Sequence, residues 1–386
     1  MDKLIPFIPG LENIMRRRDL PNICRLDPES THMQYYLDQT SKMGRASALI
    51  LNTFEELEAP IIYHLHSIFP SIYAIGPLHI VPRPIGPDTS HNSSSLFQMD
   101  QSCMGWLDSQ RPKSVLYVSF GSVVVLTNDQ FTEFWHGLVD SGKPFLWAIR
   151  PNLIADDNNG PNITTLDELK AATPVRGLIV GWAPQEDVLA HDAVGGFLTH
   201  SGWNSTLECM AAGKPMICWP MITDQQVNSR CVSHMWKVGL DMKDVCERSM
   251  VEKMVRDLME GGREELLRST EEIARLARES VREGGSSHRN LGKLIEDIKI
   301  AEFISNYPTR ERWDDRRLAA LGGAALRGLK MFMTYVAVVA IMATDFVFLL
   351  AAAGGHAAGS FVAGLYEYHI ELAVGSMGYN GGYFRL

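Results

Sequence analysis

The sequence lacks any pairing or clustering of its few cysteines. There are six cysteines in 386 residues, none of them forms a Cys-x-x-Cys pair, and none stands at zinc-ligand spacing from a histidine. Neither a metal site nor a disulfide framework is therefore predicted. Scattered thiols of this kind are best explained as small buried side chains in a reducing compartment, which predicts a cytoplasmic protein.

Positive charge is also scarce. Lys and Arg number 36 against 45 Asp and Glu, which gives a formal net charge of -9. A chain of this kind lacks the positive field that gathers phosphate backbones, so nucleic acid is not expected as a partner. One small anionic ligand is still compatible with this charge, because it requires only a local site.

Long apolar runs are confined to one place. The first residues hold no run of signal-peptide length and soon reach Arg16, Arg17 and Arg18, so no secretion signal is expected. Residues 331–355 form an apolar stretch interrupted only by Asp345, which is long enough to cross a hydrocarbon core. Because the composition also changes abruptly, residues 306–386 are predicted to be an unrelated hydrophobic tail, with a membrane helix at 331–355 if that tail is genuine.

Between residues 99 and 283, short apolar segments alternate with helical patterns. This alternation predicts an α/β fold with a parallel sheet covered on both faces. Residues 250–282 are charged and amphipathic and are predicted to form a pair of solvated helices, and a further helix is expected within 284–305. The strands are predicted at 115–120, 145–149, 177–180, 195–199 and 216–219, of which the last closes the series.

The residues before this region form a second unit. Two short apolar runs, at 46–51 and 72–75, are typical of buried strands, and a helical pattern follows the first of them. Residues 80–98 contain prolines, a glycine and a serine cluster, which predicts an exposed linker. We therefore divide the chain into a partial domain at 1–79, the linker at 80–98, and a complete domain at 99–283.

The run after the 195–199 strand has the composition of an anion site. A helix is expected to begin within residues 200–206, and a helix N-terminus favours an anion through its N–H groups and its dipole. Asn204 and Ser205 are also good helix caps, so on spacing alone a purely structural role is equally consistent. Glu208 lies one turn further, on the same face as Asn204, where a carboxylate suits a ribose diol better than a phosphate.

Residues 182–225, which read WAPQEDVLAHDAVGGFLTHSGWNSTLECMAAGKPMICWPMITDQ, resemble the signature segment of plant family 1 UDP-glycosyltransferases. The likeness covers roughly residues 5–304 and includes LNTFEELE at 51–58. It implies a glycosyltransferase B-type fold, with a complete C-terminal Rossmann-like domain, a partial N-terminal domain, and a helix at 284–305 that returns to the N-terminal domain. Within the family, the sequence is most similar to enzymes that glucosylate iridoids and related terpenoid or cyanohydrin acceptors.

The resemblance also implies roles for individual residues. The uracil ring would stack on Trp182, with its edge bonded by the Ala183 backbone, and Gln185 and Glu208 would hold the ribose. The diphosphate would be bound by His200, Asn204 and Ser205, with Ser122 in a second loop nearby. The sugar hydroxyls would contact the Trp203 backbone, Asp224 and Gln225.

The implied reaction is inverting glucosyl transfer from UDP-glucose to a small plant metabolite, without a metal or a cofactor. The glutamine at position 225 is the reason for choosing glucose, and the absence of a metal-type Asp-x-Asp near the segment agrees with a metal-free reaction. A helix N-terminus and a histidine can stabilise the departing diphosphate. The protein is expected to act as a monomer.

Two departures from the family pattern lead to alternatives. Met1 matches a point inside the N-terminal domain, so the family's base histidine is expected to be missing, and His32, His64 and His66 are not assigned that role. No catalytic residue is therefore predicted, and the chain is either an active enzyme or an inactive UDP-sugar-binding remnant. Residues 330–362 of the tail weakly resemble the last two membrane helices of Ctr-type copper transporters, with a GxxxG helix-packing motif at 355–359. This leaves a membrane-associated fusion product as a third alternative.

Overall fold

Two parallel sheets organise the chain. In the computed structural model, residues 2–82, 99–150, 153–154, 173, 176–242, 244–260 and 263–306 are described. The smaller sheet contains β1 (Leu49–Leu51) and β2 (Ile72–Ala74), paired in parallel with Leu49 opposite Ile72. Most of the predicted linker and all of the tail after residue 306, including 331–355, lie outside the described residues.

The larger sheet has six parallel strands in the order β5-β4-β3-β6-β7-β8. The sequence analysis predicted five of them. It was wrong to end the series at residue 219, because a sixth strand pairs with β7 and holds Gly239 opposite Met216. The strands are β3 (Val115–Ser119), β4 (Phe145–Ala148), β5 (Gly177–Val180), β6 (Val194–Thr199), β7 (Met216–Cys218) and β8 (Gly239–Asp241).

Helices connect the strands and cover both faces of the larger sheet. Thr127 begins α4 with a capping box, in which its hydroxyl accepts the Gln130 N–H while the Gln130 side chain accepts the Thr127 N–H. The helices of the described residues are α1 (Thr31–Met43), α2 (Glu55–Leu65), α3 (Ser102–Asp108), α4 (Asn128–Asp140), α5 (Gln185–Ala190), α6 (Trp203–Ala211), α7 (Gln225–Arg230), α8 (Arg248–Met259), α9 (Arg263–Val281) and α10 (Ser286–Asn306).

The hydrophobic core lies on both faces of β3. Val115 and Tyr117 belong to the cluster on one face, whereas Leu116 and Val118 belong to the cluster on the other. This alternation is the period-two pattern of a strand, and burial on both faces explains why the segment is continuously apolar.

The two amphipathic helices predicted over 250–282 are present as α8 and α9, but they are not simply solvated. Val251 and Val255 of α8 are buried in the core under the larger sheet, and Ala274 and Ala277 of α9 are buried as well. The charged residues therefore occupy only one face of each helix, and the opposite face packs against the domain.

The last helix, α10, packs on the smaller sheet. Leu294 lies in a small apolar cluster with Ala48 and Tyr73. The Tyr73 hydroxyl donates a hydrogen bond to Asp297, and the Asn290 amide donates to the Ala74 carbonyl over 3.0 Å. The last described helix is thus joined to the smaller sheet.

Candidate functional site

The strand order places a crevice between β3 and β6. The chain runs from β3 outward through β4 to β5, then returns to β6 on the other side of β3 and continues outward to β8. In an open parallel sheet, ligands bind at the carboxyl ends of the strands where the direction of winding reverses. The loops at this point contain Gly121 and Ser122 after β3, and His200 and Ser201 after β6.

The imidazole of His200 is packed between two glycines. A Cβ atom added at Gly121 would lie 2.5 Å from His200 Cε1, and one added at Gly202 would lie 2.5 Å from His200 Nε2. Gly121 also has a φ of 68°, which favours glycine on backbone grounds. Any side chain at either position would therefore displace the imidazole.

The loop after β6 turns sharply into α6. Ser201 has a φ of 64°, and its N–H donates to Thr199 Oγ1 over 3.2 Å. Gly202 is the N-cap of α6, so Asn204 and Ser205 lie within the first helical turn, and the alternative that they cap the helix is wrong. The N–H groups of a first turn have no intrahelical acceptor, and together with the helix dipole they form an anion-binding end.

His200 is neutral in this environment. Its pKa is lowered to about 4, chiefly by burial, while a hydrogen bond with the Ser119 backbone opposes this shift and the nearby positive charge of Arg150 adds to it. The Arg150 guanidinium follows β4, and its Nε donates to the Gly121 carbonyl over 3.0 Å. A neutral imidazole that keeps one N–H group can donate a hydrogen bond to a phosphate oxygen.

Three predicted site residues are joined by hydrogen bonds next to this crevice. Gln185 Nε2 donates to Ser205 Oγ over 2.9 Å and to Glu208 Oε2 over 2.6 Å. The Tyr117 hydroxyl donates to Gln185 Oε1 over 3.2 Å and so fixes the direction of the amide. Burial raises the pKa of Glu208 to about 7, while the Gln185 hydrogen bond opposes this shift.

Trp182 and Ala183 follow β5 on the same edge of the sheet. The Trp182 carbonyl accepts the Asp100 N–H over 2.8 Å, and the Trp182 side chain is half-buried. Ala183 is 2% exposed and belongs to the core, so only its backbone is suited to contact a ligand.

Asp224 and Gln225 lie at the start of α7. Gln225 Oε1 accepts the N–H groups of Met221 and Ile222 over 2.8 and 3.0 Å, so this oxygen shapes the preceding turn. Asn228 Nδ2 donates both to Asp224 Oδ2, over 2.7 Å, and to the Ser201 carbonyl, over 2.9 Å. That side chain ties the Asp224 turn to the loop after β6.

The first turn of α6 also contacts the smaller sheet. Trp203 Nε1 donates to the carbonyl of Asn52 over 2.8 Å, and Asn52 Nδ2 donates to Asn204 Oδ1 over 3.2 Å. The histidines to which no role was given, His32, His64 and His66, lie on exposed parts of α1 and at the end of α2.

The structure places five of the eleven predicted site residues in two groups. Ser122 and His200 lie in the loops at the winding reversal, and Gln185, Ser205 and Glu208 form the hydrogen-bonded group beside it. The sequence analysis missed Asn52 and Asn228, whose amides donate to the predicted residues Asn204 and Asp224. It also missed Arg150, which donates to the carbonyl of Gly121 next to His200. The positions of Asn52 and Arg150 could have identified them, because each is a polar residue just after the end of a strand.

The described residues contain neither a metal-binding cluster nor a helix that could span a membrane. No group of three His, Cys, Asp or Glu side chains there could hold a metal ion. Within the same residues, no helix combines the length and the apolar character that crossing a bilayer would require. The predicted absence of metal from the reaction stays a prediction.

Solved plant glycosyltransferases share this architecture. Os79 from O. sativa, crystallised with UDP, is 30% identical with a TM-score of 0.63, over 75% of this chain and 64% of that one. UGT2 of Phytolacca americana, complexed with UDP-2fluoro-glucose and pterostilbene, gives the same identity and TM-score over 77% and 63%. The fold is thus an α/β fold of the glycosyltransferase B type, and the predicted fold class is confirmed.

The profile described as UDP-glucoronosyl and UDP-glucosyl transferase matches residues 33–268. The chain therefore belongs to that family. A 7-deoxyloganetic acid glucosyltransferase of Catharanthus roseus is 50% identical over 304 residues, which are 78% of this chain and 63% of the relative. An (R)-mandelonitrile beta-glucosyltransferase of Prunus dulcis is 39% identical over 307 residues, 78% of this chain and 62% of the relative. The chain thus spans less than two thirds of the length of these relatives.

Proposed function

We propose that the protein transfers glucose from UDP-glucose to a hydroxyl or carboxyl group of a small plant metabolite of the iridoid or terpenoid type. The relatives named above are glucosyltransferases of small molecules, which supports both the donor and the class of acceptor. The observation that carries the proposal is the polar group of Gln185, Ser205 and Glu208 beside the N-terminus of α6, at the point where the winding of the sheet reverses.

The donor would lie along the carboxyl edge of the sheet. Its uracil would stack on Trp182, and its ribose diol would donate to the Glu208 carboxylate, whose neighbour Gln185 keeps that carboxylate in place. The diphosphate would then face the first turn of α6 and the neutral imidazole of His200. Asp224 and Gln225 would contact the glucose beyond the diphosphate.

Transfer requires the acceptor oxygen to attack the anomeric carbon as the UDP leaves. Negative charge develops on the departing diphosphate, where the N–H groups and dipole of α6 can stabilise it without a metal. Attack from the face opposite the leaving group would invert the anomeric configuration. We assign no described residue as the base that removes the acceptor proton.

The proposal is tested by calorimetry with UDP-glucose and by incubation with a panel of iridoid and terpenoid alcohols and acids. Trp182→Ala is expected to weaken UDP-glucose binding by about tenfold or more, since base stacking on an aromatic ring contributes ~1–3 kcal/mol. Glu208→Ala is expected to have an effect of similar size, because the ribose diol loses a charged acceptor, and such a hydrogen bond contributes ~1.5–3 kcal/mol. The matched control is Glu272→Ala, which removes an exposed carboxylate paired only with surface charge and should leave binding unchanged.

The outcomes separate the two parts of the proposal. A glycoside formed only when protein, UDP-glucose and acceptor are all present would support glucosyl transfer. UDP-glucose binding without any glycoside across the panel would refute transfer while retaining donor binding. No binding by the wild-type protein would refute the donor site itself.

A further inference from the structure

Asn52 connects the smaller sheet to the proposed diphosphate site through both its backbone and its side chain. It follows β1, and its carbonyl accepts the indole N–H of Trp203 over 2.8 Å. Its side-chain amide donates to Asn204 Oδ1 over 3.2 Å, and its side-chain oxygen accepts the Leu78 N–H over 3.0 Å. Both the nitrogen and the oxygen of this side-chain amide are thus hydrogen-bonded, which fixes its orientation.

The surrounding chain fixes Asn52 in this position. A Cβ atom at Gly76 would lie 2.5 Å from Asn52 Oδ1 and 2.7 Å from Thr53 N, so only glycine permits this close approach. The Gly76 N–H donates to the Thr53 carbonyl over 2.8 Å, and the Ser287 hydroxyl of α10 donates to the Gly76 carbonyl over 2.5 Å. The side chain of Asn52 therefore has little freedom to rotate away from Asn204.

This contact determines which end of the Asn204 amide faces the site. An asparagine side chain has one accepting and one donating end, and only the donating end is suited to a phosphate. Because Asn52 donates to the Asn204 oxygen, the nitrogen of Asn204 occupies the other position of the planar amide, away from Asn52. Without that donor, the amide could also adopt the flipped state, which would present an oxygen to the anion.

We propose that Asn52 is a positioning residue of the donor site, which holds the side-chain amide of Asn204 in the orientation that donates to the diphosphate. The inference rests on the proposed function, because it requires a diphosphate beside α6. Asn52 acts through Asn204, and its contribution should therefore depend on the presence of Asn204.

The experiment compares wild type, Asn52→Ala, Asn204→Ala and the double variant, with binding of UDP-glucose and of uridine measured by calorimetry. Asn52→Ala is expected to weaken UDP-glucose binding by about 3- to 10-fold, the effect of one neutral hydrogen bond. Uridine has no phosphate, so its affinity should change less than twofold. In the double variant, the loss should equal that of Asn204→Ala alone, because the positioned group is already absent.

Asn290→Ala serves as the matched control. Asn290 also joins two parts of the chain, through the Ala74 carbonyl and the Glu55 carboxylate, but it does not contact α6. It should lower the melting temperature without altering the UDP-glucose affinity of the folded protein. Thermal unfolding of every variant, followed by circular dichroism, shows whether the binding data refer to folded protein.

Three results would overturn the inference. These are an Asn52→Ala variant with wild-type UDP-glucose affinity, an equal loss for uridine and UDP-glucose, or losses that add in the double variant. The last two would show that Asn52 only supports the loop. If wild type binds neither ligand, the proposed function fails instead, and that outcome is recognised before any variant is compared.

Discussion

At the scale of single residues, burial shifts the pKa values of two site residues in opposite directions. It lowers the pKa of His200 to about 4 and raises the pKa of Glu208 to about 7, because in each case the uncharged form is favoured away from water. Only Glu208 therefore titrates near neutral pH. The ribose diol is a donor pair, and it favours the ionised carboxylate.

UDP-glucose affinity is predicted to fall as the pH drops from 8 to 6. The unliganded protein must give up the Glu208 proton before the carboxylate can accept from the ribose. Below its pKa of about 7, the binding-competent fraction falls about tenfold per pH unit. The dissociation constant at pH 6 should thus be about tenfold higher than at pH 8, as measured by calorimetry.

Glu208→Gln is the control for this pH dependence. It keeps the size of the side chain but removes the titrating group, so its weaker binding should be flat over the same pH range. UDP-glucose is the suitable ligand, because its diphosphate is esterified at both ends and does not titrate there. A pH dependence that persists in Glu208→Gln would assign the effect to another group.

The same carboxyl group should influence the stability of the unliganded protein. Its folded pKa lies above its ordinary value of 4.5, so the folded state binds the proton more tightly than the unfolded state. This contribution is fully present below about pH 4.5 and is lost as the pH rises through about 7. A rise in pH therefore strengthens UDP-glucose binding but removes the contribution of Glu208 to the stability of the unliganded protein.

At the scale of elements, the turn from β6 into α6 is built around the imidazole of His200. Gly202 has a φ of -61° and a ψ of 145°, which any residue adopts without backbone strain. Its requirement for glycine is purely steric, because a Cβ atom would lie 2.5 Å from His200 Nε2. This position allows the packing of the imidazole to be tested separately from the backbone.

Gly202→Ala is predicted to weaken UDP-glucose binding by at least tenfold while the protein remains folded. The added methyl group would push the imidazole out of its position beside the helix N-terminus, and a displaced donor no longer reaches the phosphate. Gly292→Ala, in α10 with no atom within 4 Å of the new Cβ, should bind normally and be slightly more stable. Equal affinities for the two variants would contradict this account.

Much of the fold could be predicted from local pattern. The strands β3 to β7 were predicted because each is a short apolar run, and their alternation with helices gave the parallel sheet. β8 was missed because Gly239–Asp241 begins with a glycine and ends in an acid, so its composition is not that of a buried strand. It is a strand because β7 offers an edge to pair with.

The site could be predicted only in part, because its supporting contacts join distant parts of the chain. The resemblance identified residues between 122 and 225, which lie close in sequence. The Asn52 amide reaches Asn204 across 152 positions. The position of Asn52 directly after a strand marks it as a candidate, but no local pattern shows that its partner is Asn204.

At the scale of the whole molecule, a buried carboxylate connects the N-terminal loop to α7. Asp19 is fully buried, and both its oxygens accept from the Arg16 guanidinium over 2.8 and 2.9 Å. Arg230 of α7 lies 3.5 Å from the same carboxylate and donates to the Ile14 carbonyl over 2.8 Å. Arg16 also approaches Asp241 of β8 at 3.6 Å.

Asp19→Ala is predicted to lower the free energy of unfolding by about 3 kcal/mol, because it leaves the Arg230 charge buried without its partner. Urea unfolding followed by tryptophan fluorescence measures this change. The control is Asp257→Ala, which breaks an ion pair between Lys253 and a side chain that is 49% exposed and should cost at most ~1 kcal/mol. Similar losses for the two variants would show that the ion pairs of Asp19 with Arg16 and Arg230 stabilise the protein no more than a surface ion pair does.

The packing of α10 on the smaller sheet has a consequence for biosynthesis. Tyr73 and its partner Asp297 are 224 positions apart, so the ribosome needs about 10 to 45 s between adding the two residues. Throughout that interval, Ala48, Ile50 and Tyr73, which lie on the face of the smaller sheet that packs against α10, lack their cover. The nascent chain must therefore present an uncovered apolar surface for tens of seconds, and chaperones that recognise such surfaces have time to bind before α10 leaves the ribosome.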